Sequence, residues 1–132
     1  MSQRIIAIDQ STSSTKALLF DDQCRLLART NVDHQQYYPQ TGWVEHDAEE
    51  IYRNMVEAIH QLVGDEAKTS QHTYSIAITN QRETAVVWNK TTGHPIANAV
   101  VWQDTRGIDC CNDLRQRGMT EMVMQRSGLL ID

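Results

Sequence analysis

The sequence predicts an α/β domain in which a mixed β-sheet is flanked by helices. Two apolar runs flank a short polar loop near the N-terminus, and no helical pattern separates the first three predicted strands. An amphipathic helix then precedes further apolar runs. We therefore expect an antiparallel meander followed by parallel strands. The 132 residues leave room for one domain with one modest core.

The first three strands are predicted over residues 5–8, 17–20 and 25–32. The run over residues 5–8 is apolar without interruption, which is typical of a strand buried on both faces. Residues 21–23, with the sequence Asp-Asp-Gln, favour a turn before the third strand. Because no helix intervenes, these strands should pair antiparallel.

A helix is predicted to begin at Asp47 and to end at Gly64. Asp47 and Glu50 have the spacing of a capping box, and glycine is the usual residue after a helix. The apolar residues between them recur with helical period, so one face should pack on the sheet. They are Ile51, Met55, Ala58, Ile59 and Leu62.

The C-terminal half is predicted to continue with strands, turns and two helices. A polar linker and the later strands are predicted over residues 65–72, 74–78, 85–88 and 99–101, with a turn at 89–93. A helix should follow up to Gly118, with Ile108, Cys111 and Leu114 facing inward. A short helix over residues 121–126 and the start of another element at 129–132 complete the prediction.

Charge and cysteine content argue against several classes of protein. Seventeen acidic and 12 basic side chains give a net charge of −5, and Lys and Arg form no run, which disfavours nucleic-acid and membrane partners. No segment has the roughly 18 apolar residues of a spanning helix. The three cysteines fit neither a disulfide framework nor a zinc pattern, so we expect a cytoplasmic protein.

The loop over residues 9–16 has the composition of a phosphate-binding segment. Five consecutive small hydroxyl residues leave the backbone N–H groups accessible, and Lys16 adds a positive charge. Asp9 ends the first strand, where one carboxylate beside a phosphate site suffices for hydrated Mg²⁺. The alternative is a hairpin with a solvated tip.

Three predicted strands end in polar clusters, beginning at Asp9, Asn80 and Trp102. The carboxyl ends of parallel strands lie on one edge of a sheet, so the clusters should share a cleft. Arg82 and Glu83 offer a donor fork and a double acceptor for adjacent hydroxyl groups, and Trp102 offers an apolar face. The alternatives are a solvated ion pair and a buried aromatic residue.

Four ordered motifs, which span essentially the whole chain, carry a family resemblance. Residues 8–16 resemble the first phosphate loop of the sugar kinase, Hsp70 and actin superfamily. With residues 42–47, 78–84 and 101–104, they resemble the FGGY carbohydrate kinases, and most closely their glycerol kinase branch. Ser11 stands where that family usually has glycine, and Lys16 where glycerol kinases usually have arginine.

The resemblance implies a ribonuclease H-like fold with strand order 3-2-1-4-5. It implies transfer of phosphate from ATP, with Mg²⁺, to a terminal hydroxyl of glycerol. Asp9 and Lys16 would be catalytic, with Asp9 also the metal ligand, and Arg82, Glu83 and Trp102 would bind the polyol or sugar. The residues implied along the phosphates are Ser11, Thr12, Ser13 and Ser14.

Members of this family are several times longer and have two such domains. The resemblance implies that residues 1–132 are the N-terminal part of the first domain, that the general base and adenine pocket lie beyond them, and that the isolated chain is inactive. For the full-length form we expect a homo-oligomer. The alternatives are a kinase for xylulose or gluconate, a two-metal nuclease using Asp9 and Glu50, and a non-catalytic sugar-binding or assembly module.

Overall fold

The computed structural model describes residues 3–64 and 72–132, so most of the predicted polar linker lies outside the described residues. Four strands precede the first helix, two strands follow it and two helices come last, and this combination of a mixed sheet with helices confirms the predicted α/β class. The strands are β1 (Gln3–Gln10), β2 (Ser14–Phe20), β3 (Leu26–Asp33), β4 (Glu45–His46), β5 (Thr73–Asn80) and β6 (Ala99–Val100). The helices are α1 (Ala48–Val63), α2 (Ile108–Gln116) and α3 (Thr120–Ser127).

The main sheet has four strands in the order β3-β2-β1-β5. The pairs β1–β2 and β2–β3 are antiparallel, whereas β1 and β5 run parallel. The order confirms the first four positions of the predicted sheet. In the β1–β5 register, Gln10 lies beside Asn80, so both strands end at the same edge. That edge positions the site.

The core lies between α1 and one face of the sheet. Strands β1 and β2 alternate buried and less buried residues, as in a sheet with one covered face. The predicted burial of residues 5–8 on both faces was therefore wrong, since Ile5 and Ala7 are only half-buried. Full burial of a valine, leucine or isoleucine side chain contributes about 1.5 to 3 kcal/mol. The two isoleucines, the leucine and the valine therefore contribute most of the stabilisation from this cluster. The buried members are Ile6, Ile8, Ala17, Leu19, Ala58 and Val63.

Helix α1 has the predicted ends but only half of the predicted capping box. The Asp47 side chain accepts a hydrogen bond from the Glu49 N–H at 2.9 Å. Glu50 does not return to Asp47, because its Oε1 accepts from the Gln35 N–H at 2.8 Å. Gly64 caps the C-terminus with φ +47°, and its N–H donates to the backbone of α1. Tertiary contact thus replaces one local bond.

The later strand predictions were wrong in two places. Residues 85–88 form only isolated bridges, Ala85 with Val100 and Trp88 with Pro95. The run at 99–101 provides β6, which pairs antiparallel with β4 in a separate two-stranded sheet. The predicted fifth strand is therefore not part of the main sheet in the described ranges. Short apolar runs leave partner and direction open, and contacts with residues far away in sequence decide them.

Helices α2 and α3 occur where the sequence predicts them, yet neither contains a fully buried residue. Ile108 is 56% exposed, so its predicted inward position is wrong, whereas Cys111 and Leu114 are half-buried. The expected new element at 129–132 has no regular structure. Among the described residues, no helix combines the length and apolar character needed to span a membrane.

Candidate functional site

An open pocket of about 380 Å³ lies at the carboxyl ends of β1 and β5. It brings together the three polar clusters that the sequence predicts at one edge, even though the third does not follow a strand of the main sheet. Six of the nine predicted site residues line it. The full lining consists of Asp9, Gln10, Ser11, Thr12, Asn80, Gln81, Arg82, Glu83 and Trp102.

The loop between β1 and β2 is closed by hydrogen bonds to Ser14, the first residue of β2. The Ser11 N–H and Oγ both donate to the Ser14 carbonyl, at 2.9 and 2.8 Å. Among the described residues, no hydrogen bond uses the backbone N–H of Thr12 or Ser13. Ser11 has no positive φ, so serine at this position carries no left-handed strain. The tip therefore presents two free N–H donors, the groups with which loops bind anions.

The remaining predicted loop residues lie outside the pocket lining. Ser14 belongs to β2 and is only 4% exposed, while Ser13 is exposed and its carbonyl accepts from the His34 N–H at 2.8 Å. Lys16 is Asp9's partner in the β1–β2 register, and its Nζ lies 3.8 Å from Asp9 Oδ2. Lys16 therefore lies outside the lining but next to Asp9, which belongs to it.

Asp9 could hold a magnesium ion from the edge of this pocket. Its side chain is 45% exposed, and no group of three His, Cys, Asp or Glu side chains suited to a metal occurs in the described residues. Mg²⁺ keeps several waters and commonly takes one or two carboxylates plus phosphate oxygens. A single accessible carboxylate next to a possible phosphate site fits that requirement.

Arg82 and Glu83 form the turn that follows β5. The Gln81 N–H donates to the Gln10 carbonyl at 2.7 Å, which ties this turn to the end of β1. Glu83 has φ +60°, a left-handed conformation that is uncommon for residues other than glycine. Both side chains are exposed, and within residues 3–64 and 72–132 neither makes a hydrogen bond or ion pair. They remain available to a ligand.

Trp102 lines the same pocket and contacts the β1–β2 loop directly. Its indole Nε1 donates to Thr12 Oγ1 at 2.9 Å, between residues 90 positions apart. The side chain is 54% exposed, so the alternative of a buried aromatic does not hold. One edge of the indole is fixed by Thr12, and the ring is free to present an apolar surface.

Gln81, which lines the pocket, and His46, which is buried behind it, received no role in the sequence analysis. His46 is 1% exposed, and its Nδ1 accepts from Gln81 Nε2 at 3.3 Å. The ring proton is therefore on Nε2, which is buried and has no partner among the described residues. Burial lowers the pKa of His46, as does the nearby His34 ring. The motif over residues 42–47 includes His46, but the sequence pattern did not indicate that His46 contacts Gln81.

His34 contacts the β1–β2 loop and the start of β2. Its Nε2 lies 3.1 Å from the Oγ1 of Thr15, which is fully buried, and its Nδ1 lies 3.0 Å from Asn54 Nδ2 on α1. Amide nitrogens face both ring nitrogens, Asn54 Nδ2 at Nδ1 and Gln10 Nε2 at 3.3 Å from Nε2. Burial lowers the pKa of His34. The neutral ring thus links the loop to the helix.

An ion cluster joins the segment before α1 to the segment after β6. Asp104 Oδ2 accepts from Arg106 Nη2 at 2.7 Å and from the Val44 N–H at 2.8 Å. Arg106 also donates to Glu45 at 2.7 Å, and its guanidinium lies 3.8 Å from the centroid of the Trp43 ring. Asp104 is thus a tertiary link and not the cap of α2, whose N-cap is Gly107.

Hydrogen bonds within this cluster determine its ionisation. Those from Arg106 lower the pKa of Asp104 to about 2, with backbone N–H donors adding to the effect. They also lower the pKa of Glu45, and the two carboxylates together raise the pKa of Arg106. All three groups are therefore charged near neutral pH. Trp102 lies two residues before Asp104, which the cluster ties to the segment before α1.

Comparison with known proteins gives consistent matches over nearly all of the chain. The sequence model of the FGGY family of carbohydrate kinases, N-terminal domain, matches residues 4–132. Glycerol kinase 1 of Thermotoga maritima is 44% identical over 128 residues, which are 97% of this chain and 26% of that protein. Glycerol kinase of Pseudarthrobacter chlorophenolicus is 46% identical, over 98% and 26%.

Solved structures agree. Plasmodium falciparum glycerol kinase with ADP superposes with a TM-score of 0.85 at 32% identity, covering 99% of this chain and 26% of that one. Gluconate kinase from Lactobacillus acidophilus has a TM-score of 0.89 at 20% identity, over 99% and 26%, and so supports the fold alone. The chain spans about a quarter of the length of these relatives.

Proposed function

This chain belongs to the FGGY family of carbohydrate kinases, and from that membership we propose that the protein containing it phosphorylates a terminal hydroxyl of glycerol with ATP. The observation that carries the proposal is the single pocket shared by the β1–β2 loop, the Arg82–Glu83 turn and Trp102. It places groups suited to a polyol beside groups suited to a phosphate. Transfer of a phosphate to a polyol would require both sets of groups in one pocket.

We further propose that residues 1–132 are the N-terminal part of the first domain and contribute half of the active site. The general base and the adenine pocket would come from sequence outside this chain. The length of the relatives supports this division, as does β5. Its Ile76 and Ile78 are 55% and 61% exposed at the edge of the sheet, a surface that further structure could cover.

The polyol would bind between Arg82, Glu83 and Trp102. The Arg82 guanidinium presents several N–H donors in one plane, and the Glu83 carboxylate accepts from hydroxyl groups. Of two neighbouring hydroxyls, one would therefore accept from the Arg82 guanidinium and the other would donate to the Glu83 carboxylate. The Trp102 ring would cover the carbon chain and exclude water from it.

The transferred phosphate would lie over the β1–β2 loop. The free N–H groups of Thr12 and Ser13 would bind its oxygens, and Ser11 and Ser14 would hold the loop in shape. Lys16 would add a positive charge from beside Asp9. Asp9 would hold hydrated Mg²⁺, which neutralises charge on phosphate oxygens when it is bound.

The test is ADP release by the whole protein, meaning this chain with the sequence that follows it in its gene. Mg·ATP is supplied with glycerol, xylulose or gluconate in turn. We expect glycerol to give the highest kcat/KM. Arg82→Ala should lower it about 10- to 150-fold, the range for hydrogen bonds to a charged group.

Arg117→Ala is the matched control, since Arg117 forms an exposed ion pair with Asp113 after α2, away from the pocket lining. Its kcat/KM should equal that of the wild type. A preference for xylulose or gluconate would replace the glycerol proposal and leave the kinase. Absence of turnover with all three would favour a non-catalytic sugar-binding module.

Three narrower proposals stand with this function. The isolated 132-residue chain should release no ADP, because it would lack the general base. The whole protein should be a homo-oligomer, measurable by light scattering. A cytoplasmic location remains a prediction from the sequence, in which Cys24, Cys110 and Cys111 are free.

A further inference from the structure

The hydrogen bond between Trp102 and Thr12 joins the two halves of the proposed site. The donor belongs to the wall that would cover the polyol, and the acceptor belongs to the loop that would bind phosphate. At 2.9 Å the bond has normal length for N–H···O. Any ligand that moves the indole ring must therefore strain or break this contact with the loop.

Trp102 is also held from its backbone side. Its N–H approaches Thr84 Oγ1 at 3.4 Å, and that hydroxyl donates to Gln81 Oε1 at 3.0 Å. Gln81 in turn donates to the fully buried His46. A chain of hydrogen bonds thus runs from the buried His46 to the backbone of Trp102, and the bond to Thr12 holds the other end of that residue, its indole. The ring position and the loop position are mechanically linked.

The chemistry of the bond favours anion binding at Thr12. A hydroxyl oxygen that accepts from an N–H directs its own hydrogen elsewhere, and such chained hydrogen bonds strengthen each other. Trp102 therefore leaves the Thr12 hydroxyl free to donate to a ligand, next to the unused N–H groups of Thr12 and Ser13. The indole has no second polar atom, so only its apolar face is left for the polyol.

We propose that the Trp102–Thr12 bond couples polyol binding to binding of the nucleotide phosphates. A polyol packed on the ring fixes the indole, which fixes the Thr12 hydroxyl as a phosphate donor. By linkage, a phosphate bound at Thr12 holds the ring in its polyol-binding position and raises polyol affinity by the same factor. This inference rests on the proposed function, since it requires both ligands in this pocket.

The test measures glycerol Kd in the whole protein by calorimetry, with and without a saturating non-hydrolysable ATP analogue and Mg²⁺. The ratio of the two Kd values is the coupling factor. We expect the analogue to tighten glycerol binding in the wild type. Trp102→Phe keeps an aromatic face without the N–H, and Thr12→Val removes the hydroxyl. Each should lower the factor about two- to tenfold, the range for one neutral hydrogen bond.

Thr12→Ser is the matched control because it keeps the hydroxyl, and it should retain most of the coupling factor. The double variant Trp102→Phe/Thr12→Val should lose no more coupling than either single variant, since both remove the same bond. A residue with a purely structural role would change thermal stability or both Kd values together and would leave their ratio unchanged.

The outcomes separate the two proposals. If the wild type turns glycerol over but the coupling factor is one, or is unaltered in both Trp102→Phe and Thr12→Val, the coupling is refuted and the kinase stands. A wild type that neither binds nor phosphorylates glycerol refutes the proposed function, and the glycerol coupling with it. Circular dichroism of each variant verifies that it is folded.

Discussion

Lys16 Nζ lies 3.8 Å from Asp9 Oδ2, across the antiparallel register of β1 and β2. The two side chains are 52% and 45% exposed. An exposed ion pair contributes about 0 to 1 kcal/mol to stability, so the pair is poorly explained as a structural device. Its position beside the proposed phosphate loop explains it better, because both charges would then act on a ligand.

From this pair we predict that Lys16→Ala lowers kcat about 100-fold in the whole protein, the loss typical of removing one electrostatic contact to a transition state. The midpoint of thermal unfolding should stay within about 1 °C, as expected for an exposed pair. Lys16→Arg should keep at least wild-type activity, because arginine also binds phosphate and does so with two donors.

The matched control is Lys90→Ala, in an exposed turn outside the pocket lining. It should change neither kcat nor the unfolding midpoint. A Lys16→Ala enzyme with wild-type kcat would remove Lys16 from the site, whereas a large fall in its unfolding midpoint would indicate a structural role.

The backbone of Glu83 leads to a second prediction. Its φ of +60° strains a residue with a Cβ atom, and glycine would relieve that strain. Glu83→Gly should therefore raise the free energy of unfolding by about 1 kcal/mol, the approximate cost of the left-handed conformation. It should also raise the KM for glycerol, since the carboxylate is lost. Thermal unfolding and initial-rate kinetics measure the two effects.

Cys24 provides the comparison, because it has φ +58° in the turn between β2 and β3, away from the pocket lining. Cys24→Gly should stabilise the protein to a similar extent without changing the KM. Glu83→Gln, which keeps the Cβ atom, should raise the KM without stabilisation. Equal KM values in Glu83→Gly and the wild type would contradict a role for Glu83 in polyol binding.

Acid should weaken the ion cluster around Asp104. The pKa of this carboxyl falls from 3.8 to about 2 in the folded protein, chiefly through hydrogen bonds from Arg106. A lowered folded-state pKa gives stability that is fully present above the unfolded value and is lost as pH falls toward the folded value. We therefore expect the unfolding midpoint to fall between about pH 4 and pH 2, in part because of Asp104.

Asp104→Asn removes this titration while keeping the side-chain shape. It should lower the unfolding free energy at pH 7 by roughly 1.5 to 3 kcal/mol, the value for hydrogen bonds to a charged group. It should also lessen the loss of stability between pH 4 and pH 2. Asp113→Asn, in an exposed ion pair, is the control and should do neither. An unchanged acid profile in Asp104→Asn would assign the transition to other carboxylates.

Gly42 allows a prediction in which steric contact is separated from backbone strain. It has φ +80°, and a Cβ atom built there would collide with the Thr105 hydroxyl. Gly93 has φ +78°, with open space around it. Both alanine variants carry the left-handed cost of about 1 kcal/mol, but only Gly42→Ala adds the clash.

Gly42→Ala should therefore lower the unfolding midpoint further than Gly93→Ala. The additional loss in unfolding free energy should be about 1 to 3 kcal/mol, the cost of overpacking. It should also reduce activity, since the Gly42–Thr105 contact helps to hold the segment that carries Trp102. Differential scanning calorimetry of both variants measures the excess. Equal midpoints would mean that Thr105 moves aside without cost.

Much of this architecture follows from local sequence. The helical period before Gly64 and the apolar run at 5–8 identify α1 and β1, although only one face of β1 proves to be fully buried. Four ordered motifs, at residues 8–16, 42–47, 78–84 and 101–104, identified the family, which the comparisons confirm. Phosphate and polyol roles for individual residues remain predictions.

Tertiary structure decided what depends on residues far apart in sequence. The antiparallel pairing of β6 with β4 was not predicted, and neither were the bond from Trp102 to Thr12 and the contact between Gln81 and His46. Each joins segments separated by 35 to 90 positions, and no local propensity encodes such a partner. Local sequence thus determined the fold class, the main sheet and the motifs. Packing around a shared edge determined how those motifs meet.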